Sequence, residues 1–175
     1  QTFHCWKEKG HGWVSLKNAM KQSCDTYFYE VARLLGVDRL NITAEKFGLG
    51  KKVLGDFFEN EKKGLFPNTS WKKNNLGKGW VLGETLITGI GQGYIQSTPL
   101  QLCMMTAQLA NGGYAIKPKI IVDSNPISFE DAKQSMESGL LFDTESDTLL
   151  DKKLFKNQKN IKIVQEAMFS STNER

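Results

Sequence analysis

The sequence centres on Met20-Lys21-Gln22-Ser23-Cys24-Asp25-Thr26-Tyr27-Phe28-Tyr29, which joins one amphipathic segment to the next. A hydroxyl and a carboxylate lie two residues apart in it, with a thiol between them. If Ser23 and Asp25 point to one side, Cys24 points to the other. Serine and aspartate ahead of an apolar helix are most often helix caps. The same tripeptide can also serve a reactive cleft on one face and a metal or a core on the other.

The composition is that of an ordinary globular domain. The chain has 175 residues, 39% of them hydrophobic and 24% charged, which is enough for one domain with a sizeable core. The net charge of +4 comes without a block of Arg and Lys or basic–aromatic alternation, so we expect no nucleic-acid partner. No apolar run reaches the ~18 residues that a membrane-spanning helix needs. Without an initiator methionine, the chain is expected to be a piece of a longer protein.

Apolar periodicity and capping residues predict five helices and one strand. The helices are expected over residues 16–22, 27–35, 37–47, 99–110 and 161–169, and the strand over 114–122. Their predicted caps are Ser15, Asp25 or Thr26, Thr98 and Asn160. Residues 51–83 have no sustained period and are predicted to be a long loop, while the polar segment 123–158 is predicted to be a variable or mobile insertion.

Three residues near the amino terminus carry metal-binding chemistry. Cys5, His11 and Cys24 place soft or borderline ligands within a short segment, whereas structural zinc takes four. The spacing is compatible with zinc, and also with a loop cysteine, an exposed histidine and a buried cysteine that have nothing to do with one another. Cys103 lies in an apolar helical run and is predicted to be a small buried hydrophobe.

Several blocks of this sequence resemble a known family. They are His11-Gly12, Gln22-Ser23-Cys24-Asp25-Thr26-Tyr27-Phe28-Tyr29, Gly36-Val37-Asp38-Arg39-Leu40, Phe47-Gly48-Leu49-Gly50, Gly89-Ile90-Gly91-Gln92-Gly93-Tyr94 and Thr98-Pro99-Leu100-Gln101. In this order and at these distances they resemble the transpeptidase domain of class B penicillin-binding proteins. The branch that they resemble is the elongation-specific, rod-shape branch of Gram-negative bacteria.

The resemblance implies an α/β (α+β) fold, the penicillin-binding or serine transpeptidase fold that β-lactamases share. Residues 1–175 would be a partial transpeptidase domain, mostly its helical part. Of the three family motifs, Ser-x-Asp is present as Ser23-Cys24-Asp25, but the Ser-x-x-Lys that precedes it and the Lys-Thr/Ser-Gly that follows are not in this chain. The letters Ser70-x-x-Lys73 fit the first motif but come after the second, against the family's order.

The resemblance also implies roles for individual residues. Ser23 would sit in the proton relay of acyl transfer, and Asp25 would orient substrate amides or neighbouring lysines. Trp80 and Gln92 are weaker candidates for the substrate-binding wall. Cys5, His11 and Cys24 would hold a structural zinc whose fourth ligand lies upstream of this chain, with a Cys5–Cys24 disulfide as the rival arrangement in an oxidising compartment.

The activity implied is that of a peptidoglycan D,D-transpeptidase in cell-wall elongation, acting through a serine acyl-enzyme and inhibited by β-lactams. Its partners would be stem peptides, the membrane-embedded glycosyltransferase and other elongation-complex proteins. It would work on the periplasmic side of the inner membrane, anchored by a segment outside this chain, and this fragment alone would be inactive. Two alternatives are a penicillin-recognising sensor without turnover and a small zinc-stabilised interaction module.

Overall fold

A computed structural model describes residues 2–54, 58–118 and 149–174. The elements are α1 (Leu16–Lys21), α2 (Asp25–Leu35), α3 (Val37–Lys46), α4 (Thr69–Leu76), α5 (Leu82–Gly89), α6 (Pro99–Ala110), β1 (Tyr114–Ile116), β2 (Leu149–Lys153) and α7 (Gln158–Asn173). This mainly helical arrangement with a small sheet agrees with the expected helical part of the transpeptidase fold. In the described ranges no helix has the length and hydropathy that a membrane span requires.

Two of the four predicted helix caps are confirmed. The Ser15 hydroxyl accepts the Asn18 N–H, and Thr98 forms a reciprocal capping box with Gln101, as predicted. The predicted cap of α2 is wrong, because Cys24 holds the cap position and makes no side-chain cap bond. Asp25 is instead the first residue of the helix, and its carboxylate is turned toward the amino-terminal loop.

The pairing of α2 with α5 positions the Ser23–Asp25 turn. The two helices pack closely where Gly89 faces α2. A Cβ on Gly89 would overlap the Ala32 side chain and lie 3.0 Å from the Phe28 carbonyl oxygen, so the contact requires glycine. On the other side of the turn, α1 packs along α7 with Ala19 and Ala167 fully buried.

The inward face of α6 is not the one that its apolar residues predict. Gln101 and Gln108 are buried, while Leu102 is 45% exposed and Cys103 is also exposed, so the prediction of a buried Cys103 is wrong. The reason is that the loops around α6 need hydrogen-bond donors. Gln101 donates to two loop carbonyls at 2.7 and 2.8 Å, and Gln108 donates to the Phe47 carbonyl at 3.1 Å.

The prediction of one long loop over 51–83 is also wrong. It contains α4, which starts at the Asn68 cap and ends at Gly77 in the left-handed region, and the start of α5. The residue that α4 buries is Lys72, which pairs with Glu84 of α5. A helix whose inward side chain is a lysine has almost no apolar period, and for that reason the pattern did not reveal it.

The small sheet joins β1 and β2 in antiparallel register, with Tyr114 opposite Lys153. The predicted strand over 114–122 is observed over its first three residues, and 119–122 lie outside the described residues. So does 123–148 of the predicted insertion, whereas 149–158 form β2 and the start of α7. The cap of α7 is Asn157, whose side chain accepts the Lys159 N–H at 3.0 Å, and not Asn160.

Candidate active site and metal cluster

Ser23 lies in the turn between α1 and α2 with an unusual backbone conformation. Its φ is +50°, and among the described residues it is the one non-glycine residue with positive φ. Such backbone costs a non-glycine residue of the order of 1–3 kcal/mol, and here it is held by the hydrogen bonds that end α1, from the Ser23 N–H to the Met20 carbonyl at 3.2 Å and from the Cys24 N–H to the Ala19 carbonyl at 2.9 Å. Ser23 is exposed, while Cys24 beside it is only 2% exposed. The tripeptide therefore sends its hydroxyl outward and its thiol inward.

The amino-terminal loop holds this turn through Trp6. The Trp6 backbone N–H donates to Asp25 Oδ2 at 2.9 Å, and the indole Nε1–H donates to the Ser23 carbonyl at 2.9 Å and the Gln22 carbonyl at 3.3 Å. One carboxylate oxygen of Asp25 is thus engaged within the protein. The sequence alone did not indicate a role for Trp6. Its indole binds backbone carbonyls, and because every residue has a carbonyl, no particular residue type in the sequence marks the partner.

The three predicted metal ligands come together under the turn. The ligand atoms of Cys5, His11 and Cys24 all lie within 4.8 Å of one another, and Cys5 Sγ is 3.4 Å from His11 Nδ1. Ligands bound to one tetrahedral zinc at the usual bond lengths lie about 3.5–3.8 Å apart. The cluster needs only a small contraction to reach that spacing. Both cysteines are free thiols here, so the rival disulfide is not formed in this structure.

The surroundings of Cys5 suit a metal-binding thiolate. Burial by itself would raise the pKa of the Cys5 thiol, but the backbone N–H groups of Lys7, Asp25 and Thr26 outweigh burial and lower it. Zinc takes cysteine as the thiolate, so backbone donors around the sulfur favour the bound form. The donor set of two thiols and one imidazole therefore fits zinc.

The weaker candidates are Trp80, which shortly precedes α5 in the sequence, and Gln92, which shortly follows it. Trp80 is half-buried, and its indole N–H donates to Thr85 Oγ1 at 2.8 Å. Gln92 is exposed just after the helix. Since α5 packs against α2, whose amino terminus carries Asp25, both stay predictions for the wall of the same cleft.

Comparison with known proteins gives a consistent result. A family model described as "Penicillin binding protein transpeptidase domain" matches residues 1–175. The chain is 43% identical over 119 residues to "Peptidoglycan D,D-transpeptidase MrdA" of Acinetobacter baumannii, covering 68% of this chain and 18% of that protein. The chain thus spans less than a fifth of the length of that curated relative.

Solved structures are similar over nearly the whole chain. Pseudomonas aeruginosa PBP2 in complex with WCK 5153 aligns with a TM-score of 0.75 at 38% identity, covering 96% of this chain and 34% of that one. PBP2 of Helicobacter pylori, solved in complex with MreC, aligns with a TM-score of 0.77 at 28% identity, covering 99% of this chain and 28% of that one.

Proposed function

This chain belongs to the penicillin-binding protein transpeptidase family, and from that premise we propose that it is part of a peptidoglycan D,D-transpeptidase of cell-wall elongation. The observation that carries the proposal is the Ser23 turn. An exposed hydroxyl held in a defined turn between α1 and α2 suits a fixed proton-relay group. It also falls at the position of the family's Ser-x-Asp motif.

The reaction is acyl transfer in two steps. A serine oxygen of the parent protein, outside this chain, attacks the carbonyl of the penultimate D-alanine of a stem peptide. The peptide bond breaks, and the terminal D-alanine leaves with the proton that the serine gave up. An amine of a neighbouring stem then attacks the acyl ester, which forms the cross-link and returns a proton to the serine. β-Lactams acylate the same serine.

The residues of this chain serve that reaction in supporting roles. The Ser23 hydroxyl passes the proton between the parent's lysine and the leaving amine. Asp25 uses one oxygen to hold the Trp6 N–H and has the other to orient substrate amides or lysines. Trp80 and Gln92 contribute to the wall that faces the stem peptide.

We also propose a structural zinc on Cys5, His11 and Cys24. The clustering of the three ligand atoms and the N–H donors around Cys5 support it. The fourth ligand is water or a residue outside this chain. Bound zinc fixes the amino-terminal loop to the start of α2 and so limits the movement of the turn that carries Ser23.

The cellular setting follows from the family. We propose that the parent acts on the periplasmic side of the inner membrane, together with a membrane-embedded glycosyltransferase and elongation-complex proteins. The complex of the Helicobacter pylori relative with MreC supports partners of this kind.

The activity is tested in the full-length parent protein with a fluorescent penicillin and with a stem-peptide substrate. We expect covalent labelling and release of D-alanine, and Ser23→Ala should slow acylation by about 10²-fold or more. Ser97→Ala, which changes an exposed serine before α6, is the matched control and should leave the rate unchanged. A parent that is never labelled would contradict the proposal, and labelling without D-alanine release would identify a sensor instead.

Zinc is tested by metal analysis of the same protein as purified. We expect about one zinc per chain, as in a closed structural site, and clear loss of zinc in Cys24→Ser. Cys103→Ser, which removes an exposed thiol far along the chain, should keep the wild-type content. Equal zinc in the wild type and in Cys24→Ser would remove Cys24 as a ligand.

A further inference from the structure

We propose that Trp6 is a positioning residue for the catalytic turn, an inference that rests on the proposed transpeptidase function. Its backbone N–H binds Asp25, and its indole N–H is shared between the carbonyls of Gln22 and Ser23. One residue of the amino-terminal loop thus contacts the turn on both sides of Cys24. No other side chain in the described part of the chain is hydrogen-bonded to the Ser23 backbone.

The hydrogen bonds of the turn itself leave the Ser23 carbonyl without a partner. The Ser23 N–H donates to the Met20 carbonyl at 3.2 Å and the Cys24 N–H to the Ala19 carbonyl at 2.9 Å, which ends α1 with Ser23 in the left-handed region, but neither bond involves the Ser23 carbonyl. The Ser23 carbonyl belongs to the peptide plane that leads into α2. When the indole fixes that carbonyl at 2.9 Å, it fixes the peptide plane and with it the direction of the Ser23 side chain.

The exposure of Trp6 indicates that it stabilises the turn mainly through its hydrogen bonds. The residue is 66% exposed, so it adds little to the core. Its ring forms a T-shaped contact with the His11 ring, with centroids 5.6 Å apart. Trp6 also lines a cavity of about 430 Å³ together with Lys21 and Ser23. Trp13 is fully exposed, with no hydrogen bond in the described structure, and offers a matched comparison.

Removing the indole N–H should therefore slow the chemical step without weakening substrate binding. The indole N–H is the one side-chain donor to the Ser23 carbonyl in the described structure, and misplacement of a catalytic group is costly, so the acylation rate constant should fall about tenfold. The dissociation constant of the noncovalent penicillin complex should stay within about twofold, because Trp6 holds the turn rather than the ligand.

The experiment compares Trp6→Phe and Trp13→Phe in the full-length parent protein by stopped-flow acylation with a penicillin. The concentration dependence separates noncovalent binding from the acylation rate constant. A third variant carries β-(3-benzothienyl)alanine at position 6, which keeps the shape of the indole but has sulfur in place of the N–H. Zinc content and thermal midpoint are measured for each protein.

The expected result is a slower acylation step in both position-6 variants, with wild-type zinc, midpoint and penicillin affinity, and no change in Trp13→Phe. Wild-type acylation in Trp6→Phe overturns the inference, and so does a normal rate in the benzothienyl variant. A rate loss that only accompanies lost zinc or a lowered midpoint assigns Trp6 to folding and overturns it too. A wild-type parent that no penicillin acylates overturns the proposed function first, which separates the two failures.

Discussion

Replacing Lys72 by methionine should destabilise the fold far more than the same change at its neighbour Lys73. Lys72 is 5% exposed and forms an ion pair with Glu84 that joins α4 to α5. The same carboxylate accepts the Val81 N–H at 3.0 Å and the Tyr94 hydroxyl at 3.3 Å. Removing the ammonium leaves the Glu84 carboxylate, whose side chain is only 16% exposed, with two neutral donors and no charge partner.

The magnitude follows from the cost of an unpaired buried charge. Breaking a buried pair by removing one partner costs about 3–5 kcal/mol, and the two donors that remain on Glu84 place this case near the lower value. The added change Glu84→Gln should recover about 1–2 kcal/mol, because it removes the unpaired charge while the amide oxygen can still accept the Val81 N–H. The double variant is therefore expected to be more stable than Lys72→Met alone.

The effect also depends on pH in a defined direction. Burial would raise the pKa of Glu84, but the hydrogen bond and charge of Lys72, with the Val81 N–H, outweigh burial and lower it. A lowered pKa in the folded state adds stability above the unfolded pKa, which is lost as the pH falls through the folded pKa. In Lys72→Met burial is opposed only by the Val81 N–H and the Tyr94 hydroxyl, so the carboxyl takes up a proton more easily than in the wild type. The stability difference from wild type should then narrow between pH 7 and pH 4.

Urea unfolding of the parent protein at several pH values measures all four proteins: wild type, Lys72→Met, the double variant and Lys73→Met. Lys73 is exposed on the same helix, and its replacement should change the free energy of unfolding by less than about 0.5 kcal/mol. An equally small loss in Lys72→Met, or a double variant less stable than the single one, would refute the reasoning.

Two further substitutions test the packing that positions the site. Gly89→Ala should lower the free energy of unfolding by about 1–3 kcal/mol, because its Cβ would overlap Ala32 across the α2–α5 contact. Gly79→Ala, where a Cβ would meet nothing within 4 Å, should leave the free energy of unfolding unchanged. Thermal unfolding of both glycine variants measures the difference. Gln101→Leu should cost about 2–3 kcal/mol in urea unfolding, because two loop carbonyls lose their donor. Gln96→Leu at an exposed position should cost almost nothing, and similar losses in both would contradict the assignment.

The sequence predicted those features whose signal is local. The capping box of α6 lies within the four residues Thr98-Pro99-Leu100-Gln101, and α2 ends at Gly36 with its φ of +77°. By contrast, α4 depends on a pair between Lys72 and Glu84, which belong to different helices. The residues of α4 itself do not reveal this pair, because Glu84 lies outside the helix. The segment was therefore predicted to be a loop.

The residues of the candidate site also differ in whether the sequence could predict them. Cys5, His11 and Cys24 could be proposed as a cluster because few residue types bind zinc, although their spacing left unrelated roles open until the family resemblance favoured a metal site. Trp6 could not, because the atoms that its indole binds are backbone carbonyls, which every residue has. Its adjacency to Cys5 becomes informative only when the loop is seen lying against the turn.

The turn between α1 and α2 places the two proposed sites on one stretch of backbone. Cys24 is buried toward the thiol and imidazole cluster, while Ser23, one residue earlier, is exposed on strained backbone. The planar peptide unit between the two residues carries the Ser23 carbonyl that the Trp6 indole binds. Cys5 precedes Trp6 directly, so the amino-terminal loop acts on both residues at once. The Ser23 hydroxyl thus lies on a turn that is held by the last hydrogen bonds of α1 and by the Trp6 indole, and a metal bound at the proposed cluster would add a third constraint.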